Sequence, residues 1–174
     1  RRFLDSLIIA SLMFPVFSTI IPVFQMLSAI NVTDSPVGVI LPQIAGNLSF
    51  AMVILMGYIR GLPVDLEESA FLEGCNVFQV FYKVILPVCR PAFATVAIFS
   101  FLWSYNDLFT QLFFLRSPEK WTITRFLNEV SSQFGTDYGM MCAVVTLIFV
   151  PVMIVYVFLQ KNIIKGLTAG AIKG

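Results

Sequence analysis

The sequence predicts an all-α protein: a polytopic transmembrane helical bundle carrying a cytoplasmic two-helix segment. Three observations predict it: apolar runs long enough to cross a bilayer, very little charge, and one acidic stretch set between those runs. Of 174 residues, 58% are hydrophobic and 12% charged, and mean hydropathy is +0.88; soluble domains carry about 25% charge.

The elements follow in order. Ser6 to Thr33 and Ser35 to Ile59 hold no charged residue, and each exceeds the ~20 residues a helix needs to cross the hydrocarbon core. They are read as spans at about 7–30 and 37–59. Pro91 to Leu115 is interrupted only by Asp107, and Tyr138 to Gln160 has no charge; these give spans at about 92–115 and 138–160. Val77 to Leu86 is apolar but too short to span, and is placed at the interface or against other helices.

Orientation follows from the basic residues, which are retained on the cytoplasmic side. Arg1, Arg2, Arg60, Lys83, Arg90, Lys161, Lys165 and Lys173 share one side, whereas Arg116, Lys120 and Arg125 lie on the other. Both termini and the loop 62–90 are therefore assigned to the cytoplasm, with 31–36 and roughly 116–137 outside.

The loop 62–90 carries the strongest functional signal. Four of the ten acidic residues, Asp65, Glu67, Glu68 and Glu73, fall within it. So polar a segment cannot sit in lipid, and it offers a folded face to a soluble partner. Asp65 followed by Glu68 has the form of a capping box, Gly74 supplies a left-handed stop, Asn76 with Gln79 repeats the capping pattern, and Pro87 is expected to end the second helix. A purely local role also fits Glu68, Ser69 and Ala70: one acid capping its own helix and two small residues allowing close packing.

The order Glu68-Ser69-Ala70, three residues, Gly74, nine residues, Val84-x-Leu86-Pro87 resembles the EAA loop of ABC importer permeases. Ser69 stands where that pattern has Ala, and Val84 where it has Ile. Ser104-Tyr105-Asn106-Asp107, Pro151 and the stretch Lys165 to Gly174 are similar to the carbohydrate branch, which contains the maltose-type second permease subunit. The resemblance implies a permease subunit moving a sugar or polyol across the cell membrane. It also implies three partners beside the lipid bilayer: a cytoplasmic ATPase docked on the EAA loop, a second permease subunit and an extracytoplasmic solute-binding protein. Such permeases generally carry six spans. The four counted here, in a chain opening on Arg1, read as one permease core, 1–174, lacking the two N-terminal spans.

Within the spans Asp107 is the costly residue, since a carboxylate in hydrocarbon costs about 2.5–3.5 kcal/mol on insertion scales. Trp103, Asp107 and Gln111 are expected on one helix face with Asn106 beside them, and Asn47 and Gln43 follow in span two. A translocation path lined for sugar hydroxyls is one reading; an Asp107 near the outer interface, with amides joining helices, is the other. Outside, Ser117-Pro118-Glu119 is a helix-start signal, followed at near-helical spacing by Ile123, Phe126, Leu127, Val130 and Phe134. This segment reads as a surface-lying amphipathic helix or as part of a dock for the solute-binding protein.

Composition also excludes functions. With no His in the chain, ordinary metal and His-dependent acid–base chemistry lacks its usual group. Cys75, Cys89 and Cys142 fit neither a zinc pattern nor a redox pair. No catalytic residue, metal or cofactor is expected, nothing suggests nucleic acid, and no phosphate loop is formed because Gly170 is followed by Ala171 and Ile172 before Lys173. The alternative to the importer is a channel or ion-coupled secondary transporter, in which Asp107 and the prolines Pro15, Pro22, Pro42 and Pro151 carry the argument.

Overall fold

The computed structural model describes residues 2–130 and 137–171, and within them every regular element is helical. Phe134, Arg1 and the last three residues of the basic C-terminal run lie outside the described residues. The order is α1 (Arg2–Ser11), α2 (Val16–Ala29), α3 (Pro36–Arg60), α4 (Asp65–Leu72), α5 (Val77–Val80), a π turn (Phe81–Ile85), α6 (Leu86–Val88), α7 (Arg90–Asn106), α8 (Phe109–Phe114), a 3-10 turn (Pro118–Lys120), α9 (Ile123–Val130) and α10 (Tyr138–Ala171).

Apolar sequence makes α3 and the Tyr138–Gln160 part of α10 long enough to cross a membrane as single helices. Pro42 and Pro151 lie inside them without ending them. Elsewhere polar or proline positions divide the expected runs. The run of about 7–30 is split between Ser11 and Val16, because Pro15 lacks an N–H and biases Phe14 away from helical geometry. The run of about 92–115 breaks between Asn106 and Phe109, and its first half is bent by 63° from Val77–Val88.

The chain forms two compact units, one holding the residues up to Ser49 with Ser100–Val157, the other Phe50–Phe99 with the chain from Phe158. In the first, Ile20, Leu27, Val39, Phe114 and Leu115 form a buried cluster, with Val23, Phe24, Val32 and Trp121 packed on it. Phe24 stacks on Phe114 at 6.0 Å, and the Arg116 guanidinium lies 5.0 Å from the Phe24 ring centre. In the second, Ala70, Val80, Ile85 and Cys89 are buried together beside Tyr58, Leu62, Cys75 and Val84. Many large apolar side chains outside these clusters are exposed, Leu147, Phe149 and Ile154 of α10 among them, as suits helices solvated by lipid.

The α2–α3 turn depends on backbone geometry. Asn31 and Asp34 take left-handed φ values of 56° and 53°, conformations that Asn and Asp adopt more readily than most residues. Gly38, buried in the first turns of α3, leaves room for the Val32 carbonyl; an added Cβ would lie 2.4 Å from that oxygen.

Candidate functional site

The acidic segment folds as two short helices about a fixed break. α4 carries Asp65, Glu67 and Glu68 in its first turn, where carboxylates oppose the positive end of the helix dipole. The expected Asp65–Glu68 capping box is not formed. Val64 is the N-cap, already helical at φ −62°, ψ −30°, and makes no side-chain cap bond; Asp65 therefore lies inside the helix, where its carboxylate cannot cap. Instead the N–H of Leu66 donates to the Pro63 carbonyl at 3.3 Å and that of Glu67 to Val64 at 2.9 Å.

Gly74 takes φ +83° with open space around it, so the conformation and not crowding selects glycine. Its N–H donates to the Phe71 carbonyl and the Cys75 N–H to the Ala70 carbonyl, both at 3.0 Å. Together these bonds make a Schellman stop. The second box is present: Asn76 and Gln79 exchange side-chain to backbone bonds of 2.9 Å in both directions. Pro87 does not end the second helix. The π turn widens the spiral, with the Leu86 N–H reaching back to the Phe81 carbonyl, and this gives a ring that would clash in a regular helix a place inside a turn. The turn stops at Cys89, and the Tyr58 hydroxyl donates to the Val88 carbonyl at 3.2 Å.

Burial divides the EAA-type residues in two. Ala70 is buried, while Val84, Leu86 and Pro87 are half-buried, forming the base of the segment. Glu68, Ser69 and Gly74 are exposed, with the Ser69 hydroxyl donating to the Asp65 carbonyl at 2.6 Å. Around them stand Phe71, Leu72, Val77, Phe78 and Tyr82; Leu72 is 89% exposed and Phe78 76%. The result is a segment that exposes acids and large apolar side chains above the buried Ala70, Val80, Ile85 and Cys89.

The residues expected along one face of the third span do not share a helix. α7 ends at Asn106 and α8 starts at Phe109, so the spacing from Trp103 through Asp107 to Gln111 crosses a break. Asp107 lies just before Leu108, the N-cap of α8, and its Oδ1 accepts the Thr110 N–H at 3.0 Å. Its Oδ2 accepts Gln43 Nε2 at 2.9 Å, and Gln43 Oε1 accepts the Ser104 hydroxyl at 2.6 Å. Gln111 is buried and accepts the Thr122 hydroxyl. Asn47 Nδ2 donates to the Gln43 carbonyl at 2.9 Å, and Asn106 Nδ2 to the Leu102 carbonyl at 2.8 Å. Trp103 and Asn106 are exposed.

A second polar knot lies at the α2–α3 turn. The Asp34 carboxylate accepts the Arg116 N–H at 2.8 Å, the Ser117 N–H at 3.0 Å, the Ser117 hydroxyl at 2.5 Å and Lys120 Nζ at 3.0 Å. The Ser117 hydroxyl and N–H, then Lys120 and the Arg116 N–H, hold this carboxyl far below the usual carboxylate range. The helix-start signal at Ser117 opens only the 3-10 turn, and α9 begins at Ile123. Arg125 of α9 pairs with Glu129 at 3.2 Å and lies 4.2 Å from the Trp121 ring centre.

The family model for binding-protein-dependent transport system inner membrane components matches residues 1–169. The chain belongs to this family. It is 34% identical over 174 residues to the putative ABC transporter permease protein ORF2 of Caldicellulosiruptor sp. (strain Rt8B.4), covering all of this chain and 63% of that protein. It is similar to the arabinooligosaccharides transport system permease protein AraQ of Bacillus subtilis (34% identity, 100% of this chain, 61% of AraQ). The diacetylchitobiose uptake system permease protein NgcG of Streptomyces coelicolor is 33% identical, with 99% and 58% covered. The chain thus spans about three-fifths of the length of these relatives.

As an inner membrane component of this family, the chain is an all-α helical membrane protein whose acidic segment was visible in the sequence. Sequence reasoning missed Ser104, whose hydroxyl joins the end of α7 to Gln43 of α3, and Thr110, whose N–H donates to Asp107. It also missed Asp34, whose one signal is an acid next to Ser35-Pro36 between two apolar runs.

Proposed function

We propose that the chain is the permease core of an ATP-driven importer of a carbohydrate, and that α4 to α6 seat a separate cytoplasmic ATPase. The observation that carries this reading is the segment 65–88: exposed Glu68, Leu72 and Phe78 stand on a base fixed by Ala70, the Gly74 stop and the Asn76–Gln79 box. A rigid apolar and acidic face transmits motion, where a flexible loop would absorb it. The sugar class is supported by the arabinooligosaccharide, diacetylchitobiose and galactooligosaccharide systems for which similar permeases are named. A second permease subunit and an extracytoplasmic solute-binding protein complete the assembly, and the basic-residue count puts segment 65–88 and both termini inside.

In this reading Trp103 and Asn106, exposed at the end of α7, offer an aromatic face and an amide to passing hydroxyls. Asp107, Gln111 and Asn47 belong to the same reading, with their side chains engaged by Gln43 Nε2, the Thr122 hydroxyl and the Gln43 carbonyl. No covalent chemistry falls to this chain; binding and positioning are its part.

The test is co-purification of the full-length permease with its ATPase, together with ATP-dependent sugar uptake in proteoliposomes. Glu68→Ala and Gly74→Val are expected to lose the ATPase and the uptake while the permease still inserts. ATPase retention in both variants, or flux driven by an ion gradient without the ATPase, contradicts the reading.

A further inference from the structure

We propose that the outer helix α9 sets the geometry of the break between α7 and α8, acting with Gln43 of α3 as the opposite jaw of a clamp. A helix break exposes the last carbonyls of one helix and the first N–H groups of the next, and each needs a partner. Here the Thr110 N–H is met by Asp107 in the break itself, and further bonds reach both helices from outside. On the α7 side, the Tyr105 carbonyl accepts the Thr124 hydroxyl at 2.9 Å. On the α8 side, buried Gln111 accepts the Thr122 hydroxyl through Oε1. Two threonines at the start of α9 thus hold one helix each, on either side of Asp107 and Leu108.

Gln43 does the same from α3. Its Oε1 takes the Ser104 hydroxyl before the break and its Nε2 donates to Asp107 at it. One side-chain amide spends a donor and an acceptor across the discontinuity, which fixes its orientation. α9 is suited to the other jaw because it is braced: Arg125 is paired with Glu129 and stacked on Trp121, and Trp121 packs on the Phe114 and Leu115 cluster at the end of α8. Displacement of α9 is therefore passed to the angle at residues 107–108, and Thr122, Thr124 and Gln43 are positioning residues for the exposed Trp103 and Asn106 beside the break.

Hydrogen–deuterium exchange of the full-length permease in lipid nanodiscs tests this without ATPase, binding protein or sugar, so the outcome is separate from that of the transport reading. Thr124→Val and Gln43→Leu are each expected to speed exchange over 107–112 by about three- to tenfold, the change that one lost hydrogen bond makes in a local opening. Thr124→Ser, which keeps the hydroxyl, restores protection. Ser11→Ala, which removes a 2.6 Å bond to Ser49 elsewhere on α3, leaves 107–112 unchanged. In the double variant Gln43→Leu/Thr124→Val the effect is less than the product of the two. Unchanged exchange over 107–112 in both single variants, or strictly multiplicative effects in the double, overturns the clamp.

Discussion

Replacing Gly38 by alanine tests the packing of the α2–α3 turn, and its cost can be worked from the structure. The new Cβ would lie 2.4 Å from the Val32 carbonyl oxygen, so the two must separate by about 1 Å to reach ordinary van der Waals distance. The obstacle is backbone, with no side-chain rotamer to relieve it. That carbonyl also accepts the Ser35 hydroxyl at 2.6 Å, and the same hydroxyl oxygen accepts the Gly38 N–H at 3.1 Å. Overpacking costs about 1–3 kcal/mol, and one strained hydrogen bond adds about 1 kcal/mol, against which alanine returns roughly 0.5–1 kcal/mol of helix propensity. The net is a loss of about 1–3 kcal/mol. Gly46 is the internal control, since nothing lies within 4 Å of a Cβ there; Gly46→Ala keeps the propensity gain alone. Thermal unfolding in nanodiscs should lower the apparent Tm of Gly38→Ala by several degrees and leave Gly46→Ala equal to or above the parent. Equal Tm values for the two variants would refute the packing argument.

Three further predictions follow from the same geometry. At Gly74, φ +83° with open space predicts that Asn, which tolerates the left-handed region, retains ATPase association, while Val, for which that conformation costs about 1–2 kcal/mol or more, loses it; pull-down of the ATPase reads the difference. Leu72→Ser and Phe78→Ser, on side chains 89% and 76% exposed, should weaken ATPase association at least tenfold without lowering permease Tm, measured by titration and unfolding in parallel. For Asp34 the folded carboxyl titrates below its unfolded value. Its stabilisation is thus full above the unfolded carboxylate range near pH 4 and is lost only as pH falls through the depressed folded value. The Tm difference between the parent and Asp34→Asn should therefore be constant from about pH 5 to 8 and shrink under stronger acid, and a difference that disappears between pH 8 and 6 contradicts the assignment.

Much of this was legible because it is local. Long charge-free runs gave α3 and α10, and the left-handed glycine and the Asn76–Gln79 box could be read from residues three apart. The capping box at Asp65 failed for a local reason too: the chain is already helical at Val64, so the acid falls one position too late to cap. Pro87 misled because a π turn, which leaves no mark in the hydrophobic pattern, accommodates its ring. The break after Asn106 contains neither Gly nor Pro. Its one trace is the Asn106-Asp107 pair inside an apolar block, the acid accepting the N–H of Thr110 three residues on. Gln43 was noticed as a polar residue, but its pairing with Ser104 and Asp107 spans 61 and 64 positions, and no periodicity reports such a contact. The Asp34 knot was hidden in the same way, its partners lying 82 to 86 residues away.

The claim that segment 65–88 seats the ATPase is tested most directly by a photoreactive amino acid at position 72 of the permease in the intact transporter. Irradiation should give an adduct with the ATPase subunit, lost when the ATPase is omitted. Adducts confined to lipid, or to a protein on the outer side of the membrane, would contradict it.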